Sequence, residues 1–185
     1  MPRLILLNGP PACGKSTLAQ RYVDEHPLAL NLDIDCVRRL LGRWREDAYA
    51  AGLLARAIAL AAARTHVAAS YDVVIPQLVA DLKFVEEIER VARDVGAEFH
   101  EVVLLDGREN ALRRFEKRTR TAAEPAHVEA GELLDRPGGL DELAAMYDRL
   151  MRVVAARPMT RVLPSVEGEV EQTYQRLLGL IQSSA

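Results

Sequence analysis

Cysteine, tryptophan and long apolar runs are scarce in this chain of 185 residues. It contains two cysteines, Cys13 and Cys36, and one tryptophan. Two cysteines cannot build a multi-bridge framework, and their spacing matches no zinc or redox motif. This usage is typical of a reducing compartment and predicts a cytoplasmic protein in which both cysteines are small buried residues.

The apolar stretches are too short for secretion or for membrane insertion. Residues 4–7 run into a Gly-Pro-Pro turn instead of a cleavage site. Residues 53–63 include Arg56 and fall short of the roughly 20 apolar residues that a membrane span requires. We therefore predict a packed helix over the second stretch, with no signal peptide and no membrane partner.

An excess of positive charge is also absent. The chain has 24 Lys and Arg residues against 27 Asp and Glu residues, a net charge of −3. No general basic surface is available for a long nucleic acid, so any anion site must be local. Hydrophobic residues are 49% and charged residues 28%, which is typical of a globular protein, and the length predicts one domain over residues 1–185.

Short apolar runs alternate with helical periodicity along the chain. This alternation predicts an α/β protein with a parallel five-stranded sheet sandwiched between helices. The predicted strands are residues 3–8, 29–33, 72–76, 99–105 and 161–163. The predicted helices are residues 15–26, 36–43, 47–70, 82–95, 110–117, 140–156 and 170–181. The polar segment 119–138, with its Pro and Gly residues, is predicted to be part of a mobile lid.

Residues 9–16 read Gly-Pro-Pro-Ala-Cys-Gly-Lys-Ser and fit the phosphate-loop pattern G-x-x-x-x-G-K-[ST] between a predicted strand and a predicted helix. The glycines let backbone N–H groups converge on a phosphate at the positive end of the helix. Lys15 is predicted to reach the β- and γ-phosphates of ATP, and Ser16 to place its hydroxyl on Mg²⁺. The predicted nucleotide-binding residues of the loop are Gly9, Pro11, Ala12, Cys13, Gly14, Lys15, Ser16 and Thr17.

Nucleotide switches, motor-type ATPases and small kinases all use such a loop. A guanine-nucleotide switch needs an Asn-Lys-x-Asp tetrad, which the sequence does not contain. A motor core needs a longer chain and a carboxylate at the end of a hydrophobic strand, whereas the candidate strand here ends at Pro76 and Gln77. These two absences favour a small kinase.

Two carboxylates, Asp33 and Asp35, stand at the end of the second predicted strand. Ligands of open α/β sheets bind beyond the carboxyl ends of the strands, where a carboxylate can accept the proton of an attacking hydroxyl. Arg38 lies one helical turn further on and is predicted to hold an anionic or polar part of the acceptor.

Residues 3–42 resemble the small phosphate-loop kinases grouped around phage polynucleotide kinase, the AAA_33-type group. The Asp-x-Asp-x-x-Arg segment is also similar to that of adenylylsulfate kinase. The resemblance implies that Asp35 is the general base and that Arg38 contacts the substrate, while Asp33 or Asp35 supports Mg²⁺ through water. Arg114-Phe-Glu-Lys-Arg118 resembles the lid helix of the group, in a lid over about residues 114–138. It implies Arg114 near adenine and Arg118 at the transferring phosphoryl group.

The chain departs from the group at the third strand, where Gln77 stands in place of an Asp. Gln77 is predicted to hydrogen-bond the acceptor or a water, or simply to cap the strand. Near the C-terminus, Val166 and Gly168 are predicted to pack beside adenine, as the corresponding loop does in kinases of this kind.

These observations predict an ATP-dependent kinase, with Mg²⁺, that moves the γ-phosphoryl group to a hydroxyl of a small-molecule acceptor. A polynucleotide 5′-hydroxyl kinase and an ATP-binding regulatory protein without an acceptor are the alternatives. The acidic balance of the chain favours the small molecule over the polynucleotide end.

Overall fold

The structure is a computed structural model that describes residues 1–120 and 139–183, without the side chains of residues 118–120 and 140. The described residues form five strands and seven helices. The strands are β1 (Arg3–Asn8), β2 (Leu30–Asn31), β3 (Val73–Pro76), β4 (Glu98–Leu105) and β5 (Arg161–Pro164). The helices are α1 (Lys15–Glu25), α2 (Ile34–Arg39), α3 (Ala48–Ala68), α4 (Leu82–Val95), α5 (Arg108–Arg120), α6 (Gly139–Ala156) and α7 (Val170–Gln182).

The strands form one parallel sheet in the order β2-β3-β1-β4-β5. β1 is the central strand, and its Leu6 lies opposite Ile75 of β3 and Glu101 of β4. Because β3 lies between β2 and β1, the end of β3 separates the residues that follow β2 from the phosphate loop that follows β1. The carboxyl ends of all five strands meet at one edge of the sheet, which is where ligands of such sheets bind.

Helices cover both faces of the sheet, as predicted. One core combines alternate β1 and β3 residues with the buried sides of α3 and α4, including Ala59 and Ile88. The other core lies beneath α1 and α7 and includes Tyr22 and Tyr174. α3 is the predicted packed helix, and no helix among the described residues combines the length and the apolarity needed to cross a bilayer.

The second strand is shorter, and the second helix begins earlier, than the sequence predicts. The carboxylate of Asp33 accepts hydrogen bonds from the N–H groups of Asp35 and Cys36, at 2.8 and 3.0 Å, and so caps α2. An aspartate at this position satisfies N–H groups that have no partner within the helix. α2 therefore begins at Ile34, includes Asp35, and ends at Arg39 instead of residue 43.

Burial of both cysteines was predicted, and for Cys36 that prediction is wrong. Cys13 is buried, whereas Cys36 is exposed, and both are free thiols. Because α2 turns Ile34 towards the core, Cys36 lies on the outer side of this first helical turn. Its sulfur accepts a hydrogen bond from Arg39 Nη2 at 2.8 Å.

Candidate active site

The phosphate loop joins β1 to α1 through backbone conformations that favour glycine. Gly9 has a φ of +145°, and a Cβ atom on it would lie 2.6 Å from the carbonyl oxygen of Leu104 and 2.8 Å from the sulfur of Cys13. Gly14 has a φ of +94° and is the N-cap of α1. Side chains other than hydrogen are disfavoured at such φ values. Both glycines of the motif are therefore required by the curl of the loop.

The backbone N–H groups of the loop are available to a ligand. None of those of residues 12–16 donates a hydrogen bond to another residue in the described part of the chain. They lie at the N-terminus of α1, where the helix dipole adds positive potential. This arrangement is suited to an anion with several acceptor oxygens, such as a polyphosphate.

The side chain of Lys15 folds back over the loop. Its Nζ donates to the carbonyl oxygens of Gly9 and Pro10, at 2.9 and 2.8 Å, and lies 3.7 Å from the sulfur of Cys13. The residue is only 9% exposed. The ammonium group therefore lies beside the loop whose backbone N–H groups are available to an anion.

A buried amide, Asn8, fixes the start of the loop, and it is not among the site residues predicted from the sequence. Its Oδ1 accepts from the N–H groups of Gly9 and Val79, at 2.8 and 2.9 Å, and its Nδ2 donates to the carbonyl oxygen of Val79 at 2.9 Å. Asn8 thereby ties the phosphate loop to the segment after β3. A polar residue at the end of an otherwise apolar strand was the available signal.

Asp35 meets Gln77 and Arg38 at this edge of the sheet. Gln77 Nε2 donates to Asp35 Oδ2 at 3.3 Å, and Arg38 Nη2 lies 3.2 Å from Asp35 Oδ1. The backbone N–H of Gln77 donates to the carbonyl oxygen of Leu7, at the end of β1. The structure therefore brings together three of the residues that the sequence assigned to the acceptor. The fourth, Asp33, holds the first turn of α2.

Arg38 also belongs to a cationic cluster around Trp44. The guanidinium carbons of Arg38 and Arg45 lie 4.7 and 4.8 Å from the centroid of the indole ring. Contacts between a guanidinium group and an aromatic face are favourable and fix the direction of the side chain. Trp44 therefore supports the Arg38 side chain that faces Asp35.

Arg114 lies where α5 meets the loop after β5. Its Nη1 donates to Asp106 Oδ2 at 2.9 Å and to the carbonyl and hydroxyl oxygens of Ser165, at 3.1 and 3.2 Å. Ser165 in turn donates from its hydroxyl to the carbonyl oxygen of Cys13 at 2.7 Å. Arg114 and the loop that carries Val166 and Gly168 are thus on the same side of the phosphate loop. No local pattern in the sequence indicated Asp106 or Ser165.

The predicted lid lies mostly outside the described residues. Arg118 belongs to α5, but its side chain is not among those described. Residues 121–138 lie wholly outside the described residues. The assignment of Arg118 to the transferring phosphoryl group stays a prediction.

The donor set around the loop fits a magnesium ion that is shared with a nucleotide. Ser16 is exposed in the first turn of α1. Among the described residues there is no cluster of three or more His, Cys, Asp or Glu side chains that could hold a metal. Magnesium commonly takes few protein ligands and several phosphate or water oxygens, and a single hydroxyl beside a phosphate cradle meets that requirement.

Solved structures of several kinases have a similar fold. The APS kinase CysC of Mycobacterium tuberculosis, in complex with AMPPNP and APS, is 17% identical with a TM-score of 0.62, and the match covers 98% of each chain. The shikimate kinase of Acinetobacter baumannii, in complex with shikimate, is 16% identical with a TM-score of 0.63, over 99% of this chain and 94% of that one. The Pnkp1/Rnl/Hen1 RNA repair complex contains a chain that is 15% identical with a TM-score of 0.64, over 92% of this chain and 50% of that one.

All three matches are below 25% identity, so they show that the fold is similar and nothing further. A search of curated proteins found no match. The AAA_33 family, described as an AAA domain, matches residues 4–137. That range holds the phosphate loop, Asp35, Gln77 and Arg114, so it includes the residues on which the predicted resemblance rests. The chain belongs to the AAA_33 family of phosphate-loop domains, and the predicted family resemblance is confirmed.

Proposed function

We propose that this protein is an ATP-dependent kinase that transfers the γ-phosphoryl group to a hydroxyl of a small molecule. The observation that carries the proposal is the contact of Asp35 with Gln77, whose backbone is bonded to the end of β1. Through that contact the Asp35 carboxylate lies against Gln77, which follows β3, and β3 neighbours the strand that leads into the phosphate loop. A phosphate cradle with a neighbouring carboxylate is what phosphoryl transfer to a hydroxyl needs.

The nucleotide would bind through the loop amides, with Lys15 moving from the carbonyl oxygens of Gly9 and Pro10 to the β- and γ-phosphates. Arg114, Val166 and Gly168 would lie towards the base. Mg²⁺, bound to the Ser16 hydroxyl and the phosphates, would neutralise their charge. We further propose that residues 1–185 act as one kinase domain, with a lid over about residues 114–138.

In the transfer step, the acceptor oxygen forms a bond to the γ-phosphorus as the bond from that phosphorus to the bridging oxygen of ADP breaks. The hydroxyl proton goes to Asp35. Lys15 and, in the lid, Arg118 would stabilise the charge on the phosphoryl group in flight. Most of the rate would come from positioning and charge neutralisation, and a smaller part from the base.

Arg38 and Gln77 are the proposed acceptor-binding residues, together with Asp33, which caps the helix that carries Arg38. A polynucleotide 5′-hydroxyl end is the second candidate acceptor. The observation in its favour is the cluster of Arg38 and Arg45 on Trp44, since guanidinium groups and aromatic rings together bind phosphates and bases.

Transfer of label from γ-labelled ATP tests the proposal. The acceptors are a panel of sugars, cyclitols, amino alcohols and nucleosides, and 5′-hydroxyl oligonucleotides. We expect label in a small molecule and ADP formation that depends on it. Label only in the oligonucleotides would support the second candidate. ATP binding without transfer to any compound would support the regulatory alternative.

A further inference from the structure

The backbone of Gln77 is anchored near the point where β1 and β3 end. Its backbone N–H donates to the carbonyl oxygen of Leu7 at 3.1 Å. Two residues further on, Val79 is bonded through both its N–H and its carbonyl oxygen to the side chain of Asn8. The segment that carries Gln77 is thus tied to the strand that leads into the phosphate loop, and its side chain starts from a defined position.

The side-chain amide of Gln77 has a nitrogen that donates and an oxygen that accepts, and only the nitrogen has a partner among the described residues. Nε2 donates to Asp35 Oδ2, while Arg38 faces the other carboxylate oxygen. A carboxylate can accept about four hydrogen bonds, so Asp35 keeps sites for the hydroxyl of an acceptor. The opposite orientation of the amide would bring Oε1 against the carboxylate, and the observed orientation is therefore the one that the charges favour.

The amide oxygen of Gln77 is buried and has no hydrogen-bond partner within the described residues. A buried carbonyl oxygen without a donor is unfavourable, and native sites normally satisfy such groups. An amide oxygen can only accept, so its partner must carry an N–H or an O–H. Because Oε1 and Nε2 belong to one planar group, that donor would lie close to Asp35.

We propose that the acceptor carries a second donor, a hydroxyl or an amino group, next to the hydroxyl that is phosphorylated, and that Gln77 selects for it. The inference rests on the proposed function and names its substrate class: vicinal diols and amino alcohols, as in polyols and amino sugars. The reacting hydroxyl donates to Asp35 and its neighbour donates to Gln77 Oε1. An anionic group next to the reacting hydroxyl would be repelled by the lone pairs of Gln77 Oε1. We therefore expect any negative charge on the acceptor to lie near the guanidinium group of Arg38.

The test compares three alcohols that share a cyclohexane ring and differ only in the group next to the hydroxyl. Label transfer from γ-labelled ATP is measured for cyclohexanol, trans-1,2-cyclohexanediol and trans-2-aminocyclohexanol. We expect the diol and the amino alcohol to receive about tenfold more label than cyclohexanol, as one additional hydrogen bond allows. In Gln77→Met, which lacks both amide atoms, the ratio should fall to about one. Gln77→Glu keeps an oxygen acceptor, so the preference should survive, while transfer to all three alcohols slows because Asp35 loses a donor and faces a second carboxylate.

Gln172→Met makes the same change at an exposed position of α7 and should keep the wild-type preference. A second readout is independent of turnover. Trp44, the sole tryptophan, contacts Arg38 beside Asp35, so its fluorescence reports alcohol binding when a non-hydrolysable ATP analogue is present.

The two readouts separate the inference from the proposed function. Tighter binding of the diol, without transfer to these three alcohols or to any compound of the acceptor panel, would support the inference and contradict the kinase proposal. Transfer with equal rates for the diol and cyclohexanol, or a preference that Gln77→Met leaves unchanged, would overturn the inference and leave the kinase in place. Equal binding of all three alcohols, without transfer to them or to any compound of the acceptor panel, would overturn both.

Discussion

Lys15 is the single side chain on which ATP binding should depend most. Its ammonium group is held by two carbonyl oxygens of the phosphate loop, whose N–H groups at residues 12–16 have no partner among the described residues. We expect Lys15→Ala to reduce ATP affinity by about ten- to a hundredfold, as the loss of a charged hydrogen bond does, and to reduce turnover to background. Titration calorimetry with ATP and a turnover assay measure the two effects.

The matched control for Lys15 is Lys83→Ala, since Lys83 is exposed in the first turn of α4. It should keep wild-type affinity and turnover. Wild-type turnover by Lys15→Ala would show that the phosphate loop is not the active site.

Asp35 should be needed for transfer and not for nucleotide binding. Asp35→Asn keeps the shape of the side chain but removes the proton acceptor. We expect single-turnover transfer at saturating ATP to fall by roughly a hundred- to ten-thousandfold, the range for a lost general base, with ATP affinity unchanged.

Asp33→Asn is the control for Asp35, because asparagine also caps helices. If Asp33 supports Mg²⁺ through water, raised Mg²⁺ should partly restore transfer by Asp33→Asn and should not restore transfer by Asp35→Asn. The reverse pattern would show that the roles of the two carboxylates are exchanged.

The Asp33 cap stabilises α2, the helix that carries the proposed base Asp35. Asp33→Ala removes the acceptor of two N–H groups and should lower the free energy of unfolding by about 0.5–2 kcal/mol. Asp33→Asn should stay within a few tenths of a kcal/mol of the wild type. Urea denaturation of the two variants checks the difference. Equal loss in both would mean that the carboxylate charge, and not the cap, stabilises α2.

The phosphate loop is an element whose geometry leaves no room for a methyl group at its first position. In Gly9→Ala, the Cβ atom would stand 2.6 Å from a β4 carbonyl oxygen, at a φ unfavourable to alanine. We expect a loss of stability of about 1–3 kcal/mol, as for overpacked sites, together with weaker ATP binding. Gly179→Ala in α7 meets nothing within 4 Å and should instead stabilise the helix by about 0.5–1 kcal/mol. Thermal unfolding of both variants, and ATP titration of the first, measure these effects.

The stability of the folded protein should depend on pH through His100, a buried histidine of β4. Burial lowers the pKa of His100 below its ordinary value of 6.5, and the positive charges of Arg161 and Arg3 add to this, although its bond to Glu98 acts in the opposite direction. Below pH 6.5 the unfolded chain therefore binds more protons than the folded one at this residue. The contribution of His100 to the free energy of unfolding is fully present above pH 6.5. It is lost as the pH falls through the pKa of His100 in the folded protein.

His100→Gln should reduce the loss of stability between about pH 7.5 and about pH 5.5, because glutamine does not titrate in that range. Urea unfolding at the two pH values measures that loss for the wild type and the variant. An identical loss in both proteins would show that other groups carry the acid dependence.

Much of the fold could be predicted from the sequence because its signals are local. Alternating apolar runs and helical periodicity predict the five strands and most helices, since each pattern reflects burial within one element. The boundaries of α2 were wrong because Asp33 is compatible with a strand end and with a helix cap, and the hydrogen bonds decide between the two.

The phosphate loop, its lysine and the family can all be identified from the sequence, because the glycines and the lysine of the loop lie within eight consecutive residues. The assembly of the acceptor side, by contrast, depends on contacts between residues that are far apart in the sequence. Asp35 and Gln77 are 42 residues apart, Asn8 and Val79 are 71 apart, and Arg114 and Ser165 are 51 apart. Each of these contacts depends on the strand order, which places β3 between β2 and β1 and β5 beside β4. No short pattern encodes that order, because it is set by the packing of helices on both faces of the sheet.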